Sequence, residues 1–84
     1  ITREELAAMI YRCAVLKGIE LSADAEYLPF DDDEAISEYA REAVESLAKN
    51  KVINGMGANM FMPAERCTRA QAAKMLYEVC RRMS

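Results

Sequence analysis

Apolar residues recur along this chain in three stretches with helical spacing. Leu6, Met9, Ile10, Cys13 and Leu16 fall at steps of three and four, the signature of one helix face. Ala40, Ala43, Val44, Leu47 and Ala48 form a second stripe, and Ala72, Met75, Leu76, Val79, Cys80 and Met83 a third. No alternating run is long enough to argue for a sheet, and Met60-Phe61-Met62 is at most a scrap of extended chain. The pattern predicts an all-α fold with three main helices.

Local chemistry marks where these helices start and stop. Thr2-Arg3-Glu4-Glu5 and Thr68-Arg69-Ala70-Gln71 have the form of capping boxes, in which the Thr hydroxyl accepts from a free helix N–H and the Glu or Gln reaches back. Gly18 is a good stop for the first helix, because glycine enters the left-handed region without a Cβ penalty. Ser37 is the expected N-cap of the second helix, which closes at Lys49-Asn50-Lys51 with cations at its negative end and an Asn that tolerates the left-handed conformation. Residues 52–66 read as a loop punctuated by Gly55, Gly57, Asn59 and Pro63.

The two capping boxes begin an internal repeat. Thr2/Thr68, Arg3/Arg69, Ala7/Ala73, Met9/Met75 and Tyr11/Tyr77 are identical at a spacing of 66, more than generic amphipathicity supplies. The chain is therefore expected to start inside one repeat, at the motif that lies late in the next.

Composition narrows the chemistry. The 84 residues include no His, which removes the commonest general base and metal ligand. Cys13, Cys67 and Cys80 are odd in number, form no CxxC, and fall one ligand short of a closed zinc site; they read as small buried hydrophobes. The six Met residues read as core filler, and Tyr11 and Tyr77 as packing residues. The run Asp31-Asp32-Asp33-Glu34 lacks the Gly and spacing of a calcium loop, and reads as a solvated acidic turn paired with a base of the basic zone. No cofactor is expected and no nucleophile has an evident base, so the expectation is a non-enzyme. No apolar run approaches the ~20 residues of a membrane span. The net charge of −3 divides into nine acids with only Arg41 between Asp24 and Glu45, and ten bases with five acids elsewhere. Such segregation points to two zones with different neighbours.

Three motifs, in order, resemble the S-layer homology family. Its late motif, Ile-Thr-Arg-Ala-Glu before an Ala-rich helix, stands here as Ile1-Thr2-Arg3-Glu4-Glu5 and again as Cys67-Thr68-Arg69-Ala70-Gln71. Its early part looks like Phe30-Asp31-Asp32 and Tyr39-Ala40-Arg41-Glu42-Ala43, with Tyr39 where the family has Trp. Its middle is similar to Lys51-Val52-Ile53-Asn54-Gly55 and Phe61-Met62-Pro63, with Ala58-Asn59-Met60 where Asp-Gly-Thr is common. On this resemblance residues 1–22 are the end of one module and 28–84 a complete one, with two main helices per repeat joined by a Gly-containing loop.

The resemblance implies a pseudo-threefold prism of three modules that binds secondary cell wall polysaccharide, often pyruvylated, in grooves between neighbours. It implies non-covalent anchoring of an extracellular surface protein to the bacterial cell wall. Carried over residue by residue, Arg3, Tyr39 and Gly55 would share one groove, and Arg69 would face another. Arg offers a carboxylate a planar fork at a helix N-terminus, where unpaired N–H groups also favour anions. Thr2 and Thr68 are structural caps that are also candidates for ligand contact. The alternative is a module that keeps the fold and serves a structural or protein-interaction role. A DNA-binding helix–turn–helix, prompted by Arg66, Arg69, Lys74, Arg81 and Arg82, fails on the 17 residues between Asn50 and Thr68 and on an acidic zone that repels phosphate. Nucleic acid is thus not an expected partner. Neighbouring modules are, and an isolated piece is expected to self-associate through helix faces left uncovered.

Overall fold

A computed structural model describes residues 1–19, 28–53 and 59–81. They form three helices, α1 (Arg3–Leu16), α2 (Glu38–Lys49) and α3 (Arg69–Arg81), with one 3₁₀ turn at Asp33–Ala35. No strand occurs among the described residues; a single antiparallel bridge joins Thr2 to Arg66. α1 packs against both α2 and α3.

Both capping boxes form. Glu5 N–H donates to Thr2 Oγ1 at 3.2 Å and Thr2 N–H to Glu5 Oε1 at 2.8 Å; Gln71 and Thr68 repeat the exchange at 3.1 and 2.9 Å. α1 ends as predicted at Gly18, whose φ is +70°. Gly18 N–H donates to Val15 O, and Ile19 N–H to Ala14 O, the paired bonds of a Schellman stop. α2 closes in the same way, with Lys51 N–H to Ala48 O and Val52 N–H to Leu47 O. Its left-handed residue is Lys51 (φ 60°) rather than Asn50. Asn50 is instead buried and donates from Nδ2 to Ser46 O. Ser37 occupies the N-cap of α2, but its side chain caps nothing in that helix.

The buried stripe of α1 differs from the one expected. It is Leu6, Ala7, Ile10 and Ala14, while Met9, Leu16 and Cys13 face outward. Alanines carry little hydrophobic signal, yet Ala7 and Ala14 are fully buried in the same core as Ala40. α2 buries Ala40, Ala43, Val44 and Leu47 as predicted. On α3 only Met75 and Val79 are buried; Leu76, Tyr77 and Cys80 are exposed, so Tyr77 is not a packing residue. Of the Met residues only Met75 belongs to the buried core, and Met56 and Met83 lie outside the described residues.

Much of the core comes from segments without regular structure. Phe30, Ile36, Val52, Ile53 and Phe61 are buried beside the helical stripes, and the rings of Phe30 and Phe61 meet at 5.5 Å between centroids. The middle of the acidic run locks these segments together: Asp32 and Asp33 are half-buried, while Asp31 and Glu34 are exposed as a solvated turn would be. Asp32 accepts the N–H groups of Phe61 and Met62 on its two oxygens, both at 2.8 Å. That clamp holds Met62 in the left-handed region at φ 60°, where a non-glycine residue persists only when its surroundings determine it. Asp31 N–H donates to Asn59 O at 2.8 Å. Asp33 pairs with Arg41 at 3.0 Å, a base of its own zone and not of the basic one.

Candidate functional site

The start of α1 is joined to three other segments. Arg3 is only 4% exposed. Its Nε donates to Phe61 O at 2.7 Å, and its guanidinium lies 4.9 Å from the centre of the Phe61 ring, a cation–π distance. Burial lowers the Arg3 pKa from its ordinary value, an effect that Cys67 and Asp32 oppose. The first-turn N–H groups of Arg3 and Glu4 donate to Glu65 O at 2.9 Å and Pro63 O at 3.1 Å. With Glu5 and Leu6 bonded to Thr2, no donor of this helix start is left over. The open anion site expected at this N-terminus is therefore filled by the protein's own carbonyls.

Glu4 reaches from α1 to the start of α2. Its carboxylate accepts from Ser37 N–H at 2.8 Å and from Ser37 Oγ at 2.7 Å, with Tyr39 Oη at 3.5 Å. It puts a negative charge at the positive end of α2, where such a charge is favourable. Tyr39 is 61% exposed. Its ring faces water while its hydroxyl sits against Glu4; desolvation first, then the charges of Glu4 and Glu5, hold its pKa above the ordinary value.

Beside Tyr39 an open groove of about 260 Å³ runs between α1 and α2. Tyr11, Arg12, Tyr39 and Glu42 line it over a floor that includes Ala8 and Ala43. Tyr11 is half-buried, and its hydroxyl donates to Glu42 Oε1 at 3.2 Å.

Of the residues singled out from sequence, Thr2 and Arg3 lie together at the start of α1 with Tyr39 nearby through Glu4. Tyr39 faces the groove and Arg3 the interior. Thr68 and Arg69 stand apart at the start of α3, both exposed. Gly55 and Gly57 lie outside the described residues. Sequence reasoning missed Glu4, Asp32, Arg12 and Glu42. For Glu4 a signal was present: the family motif has Ala there, as Ala70 does in the second copy.

An all-helical unit with two capped late-motif helices and a Phe-bearing loop locked by an Asp defines a small modular domain. The chain matches the S-layer homology domain over residues 29–73, more than half its length, and it belongs to that family. Domains of this family are binding and anchoring modules. Over 77 residues it is 36% identical to an amylopullulanase of Thermoanaerobacterium thermosulfurigenes and 35% identical to exoglucanase XynX of Acetivibrio thermocellus. Over 76 residues it is 34% identical to an endoglucanase of Bacillus sp. (strain KSM-635). These alignments cover 92%, 92% and 90% of this chain, but only 4%, 7% and 8% of the relatives. No solved structure matches.

Proposed function

We propose that this chain helps anchor a larger extracellular protein to the bacterial cell wall, by non-covalent binding of secondary cell wall polysaccharide, pyruvylated units included. Residues 1–22 act as the end of one module and 28–84 as the next, with the binding groove between them. The observation that carries this reading is the exposed ring of Tyr39, held by Glu4 at the mouth of a groove between α1 and α2. An amphipathic ring held in place offers a sugar both a flat face and a hydroxyl. Arg69, exposed at the start of α3, is placed to meet a carboxylate directly. Arg3 acts as a positioning residue, fixing the Phe61 segment against α1. Thr2 and Thr68 accept within their capping boxes and keep a hydroxyl hydrogen for a ligand. Gly55 is proposed, from the family motif alone, as a point where backbone approaches the ligand closely. The protein that carries the module holds any catalytic activity in other segments, as the small share of each enzyme relative matched here supports.

The test is binding to purified cell-wall sacculi before and after chemical removal of the secondary polymer. Binding that disappears with the polymer supports the reading, and equal binding to stripped walls overturns it. A second reading, a module that keeps the fold for a structural role, is favoured by the burial of Arg3 and the closed helix start. On that reading Tyr39→Ala leaves wall attachment unchanged.

A further inference from the structure

The late motif occurs twice in this chain, and the early half, residues 28–53 and 59–67, packs on its first copy. Arg3, Glu4 and Tyr11 of α1 each bond to that early half: Arg3 to Phe61 O, Tyr11 to Glu42, and Glu4 to Ser37. At the spacing of 66, α3 repeats the first and last of these as Arg69 and Tyr77. It repeats the capping box as well. Glu4, however, answers to Ala70, an exposed residue with no polar side chain. We propose that Glu4 is a pairing determinant: it makes this early half select the Glu-bearing late motif of α1 over the Ala-bearing one of α3, whether that α3 belongs to the same chain or to a second copy. The inference deepens the division into modules proposed above and involves no polysaccharide.

The selection follows from where α2 finds its cap. A Ser at an N-cap ordinarily turns its oxygen to the N–H groups of its own helix. Ser37 makes no such bond. Its N–H and its hydroxyl both donate to the Glu4 carboxylate, at 2.8 and 2.7 Å. Bonds to an ionised acceptor are about twice as strong as neutral ones. Both residues are half-buried, so a late motif with Ala at this place deprives two donors of their charged acceptor. At the positions that α1 buries beside it, the copies differ in volume or shape: Leu6 answers to Ala72, Ile10 to Leu76 and Ala14 to Cys80. Packing meets such differences by degrees. The loss of a carboxylate is not graded in that way. An Ala-bearing motif therefore fits a different partner, an early half that carries its own carboxylate at the N-cap. Specificity of this kind is a difference between matched and mismatched pairs.

Four full chains test this by chemical denaturation at one protein concentration: the wild type, Glu4→Ala, Ser37→Asp and the double variant. Glu4→Ala gives α1 the residue of α3, and Ser37→Asp gives α2 a carboxylate of its own. Both types of late motif thus meet both types of early half. Glu4→Ala should lower the folded-to-unfolded ratio about tenfold. Ser37→Asp should also lower it about tenfold beside Glu4, because two carboxylates then face each other. In the Glu4→Ala chain the same Ser37→Asp should raise the ratio about threefold, since an acid at an N-cap is favourable once Glu4 is gone. Ser37→Asn, which matches Asp in shape and carries no charge, should stay within about threefold of its parent in both backgrounds.

Three results overturn the pairing: Glu4→Ala as stable as the wild type, a Ser37→Asp effect of the same sign with and without Glu4, or an equal loss from Ser37→Asn beside Glu4. If Ser37→Asp prevents folding outright, recovery of the fold in the double variant supports the pairing and its absence overturns it. None of these outcomes bears on the sacculus test, which succeeds or fails independently.

Discussion

α1 and α3 carry the same late motif, 66 residues apart, and meet different surroundings. Arg3 is buried and Arg69 exposed; Ala7 is fully covered and Ala73 open. Ile10 is 3% exposed while its counterpart Leu76 is 50% exposed. Tyr11 is half-buried and bonded to Glu42, whereas Tyr77 stands in solvent. The difference lies in the segments that pack on each helix. α1 is covered by α2 and by the segment 59–67, whose carbonyls accept its first-turn N–H groups. α3 has no such cover among the described residues and buries only the side it turns to α1. The motif thus specifies a capped helix with two usable faces, and the early half of an adjoining module decides whether the second becomes core.

Truncating that second face on each helix is the most severe test of the contrast. Ile10→Ala should cost about 2–4 kcal/mol in chemical denaturation, the range for a buried aliphatic side chain. Leu76→Ala should cost within about 0.5 kcal/mol, as an exposed position does. Equal costs would mean that α3 is covered in solution. Self-association through the open face is the expected source of any such cover. Sedimentation should show the wild type heavier than a monomer and Leu76→Glu returned to it.

The next contrast is between the two arginines. Arg3→Ala removes a hydrogen bond to a buried carbonyl and the cation over Phe61, and should cost about 2–3 kcal/mol. Arg3→Lys should recover only part, since an ammonium lacks the planar fork. Arg69→Ala should leave stability within about 0.5 kcal/mol and, on the anchoring reading, weaken wall attachment. A stability loss at Arg69 comparable to that at Arg3 would abolish the distinction.

The helices, the two capping boxes and the stop at Gly18 were legible because each rests on interactions within a few residues. Thr2 and Glu5 are three apart, as are Thr68 and Gln71, and α2 shows its stripe clearly because its polar side is strongly charged. The face of α1 was not legible, since Ala7 and Ala14 look neutral in any hydropathy pattern. Arg3 misled for a related reason. A cation in a first turn signals an exposed anion site unless something covers it, and here the cover comes from Phe61, 58 residues away. The acidic run misled likewise: Asp32 is held by backbone N–H groups of a distant loop, and backbone leaves no trace in composition.

A smaller effect separates Glu4 from Ala70. Glu4 holds Ser37 through both its N–H and its hydroxyl, so Glu4→Ala makes the first copy resemble the second and strips the start of α2 of the carboxylate that α1 supplies. The loss should be about 1–2 kcal/mol, as for an N-cap. Ala70→Glu, at an exposed position with no Ser37 to meet, should change stability by less than about 0.5 kcal/mol. If Glu4→Ala were equally silent, the link from α1 to α2 would rest on apolar packing alone.

The smallest contrast is one of pH, since the first capping box ends in Glu5 and the second in Gln71. Glu5 is ionised when it accepts the Thr2 N–H, and hydrogen bonds with the Thr2 backbone and side chain lower its pKa from the ordinary value. A carboxylate whose pKa falls on folding adds stability that is fully present above its unfolded value, about 4.3, and is lost as pH drops through the lower folded value. Gln71 accepts the same bond without a charge. Glu5→Gln should therefore leave the chain's stability slightly below wild type at neutral pH, with the gap constant down to about pH 5 and closing under further acid. The reciprocal Gln71→Glu should introduce the same acid-sensitive increment at α3. Thermal melts of both variants from neutral to acid pH measure this directly. A gap that stays constant through acid, or widens, would show that the two boxes differ by something other than the charge of their last residue.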